Sequence, residues 1–299
     1  MQRDYSPFCD EGSSWFAEYM DLQTGVELHS VTFTPSVTGD NPAVLFIPGL
    51  VSIIENFGGT LRELTRSHKV VYVETREKGT ARITGDHTFS VGDMTADIVH
   101  FAENKFPEGV PYVMAGYSLG ATIIAEAFSH LKNKPLAIIL IEPNASFPFS
   151  GWLRLLSKFA QYIYKPLKPF LKWYMRTFVL NIREDNEMYL IYCRNLDAAS
   201  PERLGAAVRQ LSSYRMNACL PGITVPAMVA VASKDRLHNH DEGAEIASRL
   251  QGAYYLDMAD NRRTHGAEMA LEIENFISSQ VRRPVQADPI SQDISSQPS

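Results

Sequence analysis

Met114-Ala115-Gly116-Tyr117-Ser118-Leu119-Gly120-Ala121 is the stretch whose reading decides the fold. Its centre, Gly116 to Gly120, fits G-x-S-x-G, the nucleophile-elbow pattern of a serine on a sharp turn between a strand and a helix. Such a turn strains the serine backbone and brings the two elements close together, which is why small residues flank it. The surroundings agree. Residues 111–115 form a short apolar run of strand type, and in 121–131 the apolar Ile124, Ala127, Phe128 and Leu131 recur at helical spacing.

Outward from this turn, apolar strands alternate with helices. Residues 18–34 read as a hairpin around Gln23-Thr24-Gly25, 43–47 as a buried strand ending at Pro48-Gly49, 58–67 as a helix, 69–74 as a strand and 91–106 as a helix. Beyond the turn, 136–141 and 227–232 read as strands, 241–250 as a helix, 253–258 as a strand and 266–278 as a closing helix. Fully apolar strands interleaved with helices mean a mostly parallel sheet covered on both faces, an α/β fold.

The alternation stops between 144 and 220, a segment too long for a structureless loop. It is rich in aromatics and reads as short helices, with Pro166 and Pro169 near helix starts. It holds 11 Lys or Arg and 5 Asp or Glu, a net of +6, so the remainder carries 17 against 29, a net of −12. The division expected is a body of residues 1–143 and 221–281, a basic helical cap over 144–220, and a Pro-, Gln- and Ser-rich tail over 282–299 expected to be disordered.

With 299 residues, 45% of them hydrophobic, the chain can bury one large core with an insert. A formal net charge of −6 argues against nucleic acid as a partner. Cys9, Cys193 and Cys219 are odd in number and lack C-x-x-C spacing, the pattern of reduced thiols in a cytoplasmic protein. The N-terminus has no signal-like apolar region, and no run of about 18 apolar residues suggests a membrane-spanning helix.

A serine hydroxyl is a weak nucleophile and needs a base within reach and a group to orient that base. In an open parallel sheet these groups collect just past the carboxyl ends of strands. His265, in Asn261-Arg-Arg-Thr-His-Gly266, is the histidine placed between a late strand and the last helix. Asp235 follows the strand after the cap, and the order Ser118, Asp235, His265 is the one this architecture uses. Glu142, at the end of the strand after the elbow helix, is the rival acid. His238 and His240 are read as solvated or capping residues at the start of the following helix.

In these features the chain resembles the α/β-hydrolase-fold proteins of the capped, single-domain kind, over roughly residues 19–279. Glu74-Thr-Arg-Glu-Lys-Gly79 stands where that family often has Asp-x-Arg-Gly-x-Gly, and Asp97 falls in a helix that often carries Asp-Leu. The resemblance implies Ser118 as nucleophile, His265 as general base and then acid, Asp235 as the orienting carboxylate, and the backbone N–H groups of Leu50 and Leu119 as the oxyanion hole. Departures are Pro48-Gly49 in place of a common His-Gly, no His-Gly-Gly-Gly, and Arg-Thr-His-Gly around the base.

The function expected is hydrolysis of a carboxylic ester with a hydrophobic acyl or alcohol part, with no metal or organic cofactor. The same triad would serve a thioester, lactone, amide or C–C bond, and the fold also has ligand-binding members with little turnover. Residues 50–57 suit either an acyl pocket or core packing under the cap. Lys165, Lys168, Lys172 and Arg176 recur at steps of three and four on one helical face, with Phe170, Tyr174 and Phe178 on another. That row suits a solvated face, or transient contact with an anionic membrane surface.

Overall fold

The computed structural model describes residues 3–37, 39–179, 186–216, 219–235 and 240–281, the side chains of 178, 179 and 240 apart. The strands are β1 (Ser14–Asp21), β2 (Val26–Thr34), β3 (Ala43–Ile47), β4 (Val70–Val73), β5 (Arg82–Ile83), β6 (Tyr112–Tyr117), β7 (Ile138–Ile141), β8 (Ala227–Val231) and β9 (Tyr254–Asp257). They form one sheet in the order β1-β2-β4-β3-β6-β7-β8-β9, with β5 on β2. The pairings of β2 with β1, β4 and β5 are antiparallel, and all others are parallel.

The helices of the body are α1 (Gly58–Leu64), α2 (Val91–Lys105) and α3 (Leu119–Ala127) before the cap. Residues 144–220, expected to form a cap, supply α4 (Gly151–Leu156), α5 (Ala160–Tyr174), α6 (Asn186–Ala198) and α7 (Pro201–Leu211), and the chain goes on with α8 (His240–Arg249), α9 (Asn261–His265) and α10 (Ala267–Gln280). Successive strand residues point to opposite faces. Leu45, Met114, Leu140 and Val229 pack on one side with Ile98 and Phe101 of α2 and Ile124 of α3. Phe46, Val113, Ile139 and Met228 pack on the other with Leu61 of α1 and Ile273 of α10. Helices on both faces account for the uninterrupted apolar runs of the central strands.

Two expectations are corrected in detail. Helix α5 runs through Pro166 and Pro169, which the sequence placed near helix starts. The carbonyls deprived of a partner by these prolines belong to Tyr162 and Lys165, both exposed, so solvent can bond them in place of the missing N–H groups. The connection between the late strand and the last helix, in which His265 was placed, is itself a short helix, α9, that His265 ends. Asp260 starts that helix by accepting the Arg263 N–H at 3.1 Å. The tail over 282–299 and His238 lie outside the described residues, and His240 begins α8.

Candidate active site

Sheet register gathers the expected residues at one edge. Ile47 pairs with Gly116, Tyr117 with Ile141, Ile141 with Ala230, and Val231 with Asp257. The segments that follow, bearing Gly49, Ser118, Glu142 and Asp235, therefore leave the sheet side by side. Ser118 has φ 53° and ψ −115° between β6 and α3. A Cβ on Gly116 would lie 2.6 Å from Ile124 Cδ1, and one on Gly120 would lie 2.2 Å from the Ile47 carbonyl oxygen. Close approach of strand, turn and helix is what requires glycine at both positions.

Among the described residues, the non-glycine positions with positive φ are Gln23, Val51, Ser118, Glu142 and Ala259. Gln23 belongs to the β1–β2 turn. The other four follow β3, β6, β7 and β9 at the same edge, and Val51 is β-branched, which makes its φ of 66° costly. Backbone strain of this kind concentrates where a site is preorganised.

Asn144 Nδ2 donates to Ser118 Oγ at 2.9 Å. The His265 ring is 5% exposed and sits against Tyr117, 4.2 Å between centroids, and Phe57, 5.4 Å. Its Nδ1 faces the main-chain carbonyl of Asn261 at 2.8 Å. A carbonyl only accepts, so Nδ1 carries the proton, and a neutral ring then presents a lone pair on Nε2, the tautomer a general base needs.

Asn261 has further ties. Its Oδ1 accepts from the Tyr117 hydroxyl at 2.7 Å, and its Nδ2 donates to the Tyr192 hydroxyl of α6 at 2.9 Å. Thr60 donates to the carbonyl of His265 at 2.9 Å.

Glu142 is buried at the end of β7, and Asp235 is half-buried after β8. Burial holds the Tyr117 phenol well above its ordinary pKa, and the nearby charges of Glu142, then Tyr192 and Asp235, add to the shift. Both candidate acids thus act on the ring that packs against His265.

Leu119 is the first residue of α3, where an N–H has no intrahelical acceptor. Leu50 follows Gly49, whose carbonyl accepts from Lys78 Nζ at 2.5 Å. Lys78 is buried, and its Nζ is 3.1 Å from a Glu77 carboxylate oxygen. In a trans peptide the C=O and N–H point in opposite directions. An ammonium on the Gly49 carbonyl therefore fixes and polarises the same peptide unit that carries the Leu50 N–H. Helix α7 reaches this turn: Arg203 donates to the carbonyls of Lys78 and Ala81 at 2.8 Å each. In the nearby turn, Arg76 grips Asp97 of α2 with two bonds of 2.6 Å.

The sequence profile of the alpha/beta hydrolase fold matches residues 42–262. The chain belongs to that family. Compared with the curated proteins, this alpha/beta hydrolase matches none. Among solved structures it is similar to a hydrolase from Pseudomonas aeruginosa PA01, with TM-score 0.72 and 16% identity over 89% of this chain and 98% of that one. It is similar to an enol-lactonase from Burkholderia xenovorans LB400, with TM-score 0.72 and 15% identity over 87% and 100%. A thermophilic esterase from Thermogutta terrifontis gives 0.69 and 16% over 85% and 94%. At such identities the likeness shows the fold alone.

Three residues of this alpha/beta hydrolase escaped the sequence reading: Asn144 on Ser118, Lys78 on the Gly49 carbonyl and Asn261 on His265. The rule that found Asp235 would also have reached Asn144, which lies three residues past the end of β7. Asn261 and Lys78 are polar residues in short connections, and nothing in their local sequence separates them from solvated ones.

Proposed function

We propose that the protein is a serine hydrolase that cleaves a carboxylic ester with a hydrophobic acyl or alcohol part through an acyl-enzyme. One observation supports this reading: a strained Ser118 at the carboxyl end of β6 follows Tyr117, whose ring packs against a buried His265 with its Nδ1–H committed to a carbonyl. Ser118 Oγ attacks the acyl carbonyl while His265 Nε2 takes the hydroxyl proton. The oxyanion is held by the N–H groups of Leu119 and Leu50, each such donor being worth about 3 kcal/mol. Collapse of the adduct breaks the ester C–O bond, and His265 returns its proton to the leaving alcohol. A water, deprotonated by His265, then attacks the acyl-enzyme and releases the carboxylic acid. Asp235 is the carboxylate assigned to stabilise the imidazolium, with Glu142 as the rival.

The test is hydrolysis of p-nitrophenyl esters from acetyl to palmitoyl, together with labelling by a fluorophosphonate probe. Wild type is compared with Ser118→Ala, Asp235→Asn and Glu142→Gln. Turnover and labelling that vanish in Ser118→Ala support the reading, and the weaker of the two acid variants identifies the acid. Labelling without turnover of any ester would move the substrate to a thioester, lactone, amide or C–C bond. No labelling would leave a binding protein.

A further inference from the structure

Residues 143–183 contain no Asp or Glu and seven basic residues, Arg154, Lys158, Lys165, Lys168, Lys172, Arg176 and Arg183. The structure divides the lysines differently from the simple row read in the sequence. On α5, positions 163, 164, 167, 168, 171 and 172 turn inward, and 161, 162, 165, 166, 169, 170, 173 and 174 form an exposed stripe. Lys168 and Lys172 reach Asp197 of α6 at 3.1 and 2.8 Å, so the cap itself pairs these charges. Tyr164 is buried beside them and donates to the Leu196 carbonyl at 2.7 Å.

The outward stripe is aromatic. Tyr162 is 72% exposed and Trp173 52%, with Phe170 and Tyr174 beside them. Just before α5, Phe159, Leu155 and Trp152 are exposed as well, the last by 65%. Arg154, Lys158, Lys165 and Arg176 are exposed on the same segments. Soluble monomers seldom leave so many large apolar side chains together in water.

We propose that this face of the cap docks on an anionic lipid bilayer. Trp and Tyr suit the boundary between headgroups and acyl chains, where the ring is apolar and its polar tip stays wet. Exposed cations in a segment without a carboxylate complement a negative leaflet. The same charge set disfavours a second copy of the chain, because a two-fold contact would bring like charges together. No helix among the described residues is long and apolar enough to cross a membrane, so α5 would lie in the interfacial plane. This inference is independent of the reaction proposed above.

Co-sedimentation of the full chain with vesicles tests it. One set contains phosphatidylcholine with about 30% phosphatidylglycerol, an anionic surface of the kind that attracts basic segments, and the other phosphatidylcholine alone. The chain should bind the anionic vesicles, release at high salt, and show a blue shift of emission, since two of its three tryptophans, Trp152 and Trp173, lie on the face. Each cation removed should weaken partitioning about fivefold, so Arg154→Gln with Lys158→Gln and Lys165→Gln should cost about a hundredfold.

Trp152→Ser with Trp173→Ser should abolish both binding and the shift. These positions are exposed, and an unchanged thermal melt confirms the variants are folded. Binding equal in all variants, or none to anionic vesicles, overturns the proposal. So does a dimer in sedimentation velocity that Trp173→Ser disperses while vesicles bind nothing.

Discussion

In the sheet, β3, β4, β6, β7 and β8 have every residue buried, whereas in 144–220, the segment expected to be a cap, α4 has none and α5 only Tyr164. The body places its apolar residues between two layers of helices. Helices α4 and α5 keep much of their apolar surface outside, with α5 held to α6 by the polar contacts of Asp197 and Tyr164, while α7 sends Ala207 and Leu211 into the core and Arg203 to the Lys78 turn. The charges differ as well, a net −12 in the remainder of the chain against +6 in 144–220. Precision needed for chemistry is found where packing fixes the backbone from both sides. A surface available to something larger than a substrate is found where packing is thin.

Substitutions can break that contrast if the two regions respond alike. The largest effect belongs to Ser118→Ala, which should lower kcat for the best ester by about 10⁶-fold, the scale seen when a triad nucleophile is removed. Stopped assays and a thermal melt would show lost turnover with an intact fold. Next comes Gly120→Ala, whose Cβ would meet the Ile47 carbonyl oxygen at 2.2 Å. Urea unfolding should show a loss of about 3 kcal/mol, because the elbow cannot yield without moving β3.

Lys78→Met leaves the Gly49 peptide without its ammonium. It should lower kcat about tenfold to a hundredfold with KM little changed, since the reaction proposed above uses the Leu50 N–H at the transition state. An equal loss in KM would point to substrate binding under the cap instead.

The smallest effect is expected in the cap. Asp197→Asn should cost under about 1 kcal/mol, because the pair is half-exposed and screened. Its carboxyl is held below the ordinary range chiefly by the Lys172 bond. The contribution is therefore present above the unfolded pKa near 4 and fades as the pH falls below it, and added salt should mask it. A large loss would mean that the cap is as tightly integrated as the body.

How much of this was legible follows from where the information lies. The elbow and the central strands declare themselves locally, through glycines that permit close approach and through apolar runs that only a doubly covered sheet can bury. His265 could be found by position between the last strand and the last helix. The choice between Asp235 and Glu142 could not, because both follow strand ends and both lie near Tyr117 in space. The orientation of α5 was misread because spacing alone put Lys165, Lys168 and Lys172 together. Asp197, far along the chain, draws the last two inward.

Asn261 joins three parts of the molecule at once: its carbonyl holds His265, its amide oxygen takes the hydroxyl of Tyr117, the neighbour of Ser118, and its amide nitrogen reaches Tyr192 of α6. One residue thus acts as an interlock. Any displacement of α6 would loosen the residue that sets the His265 tautomer, so the placing of that proton is tied to the seating of a helix far from it in the chain.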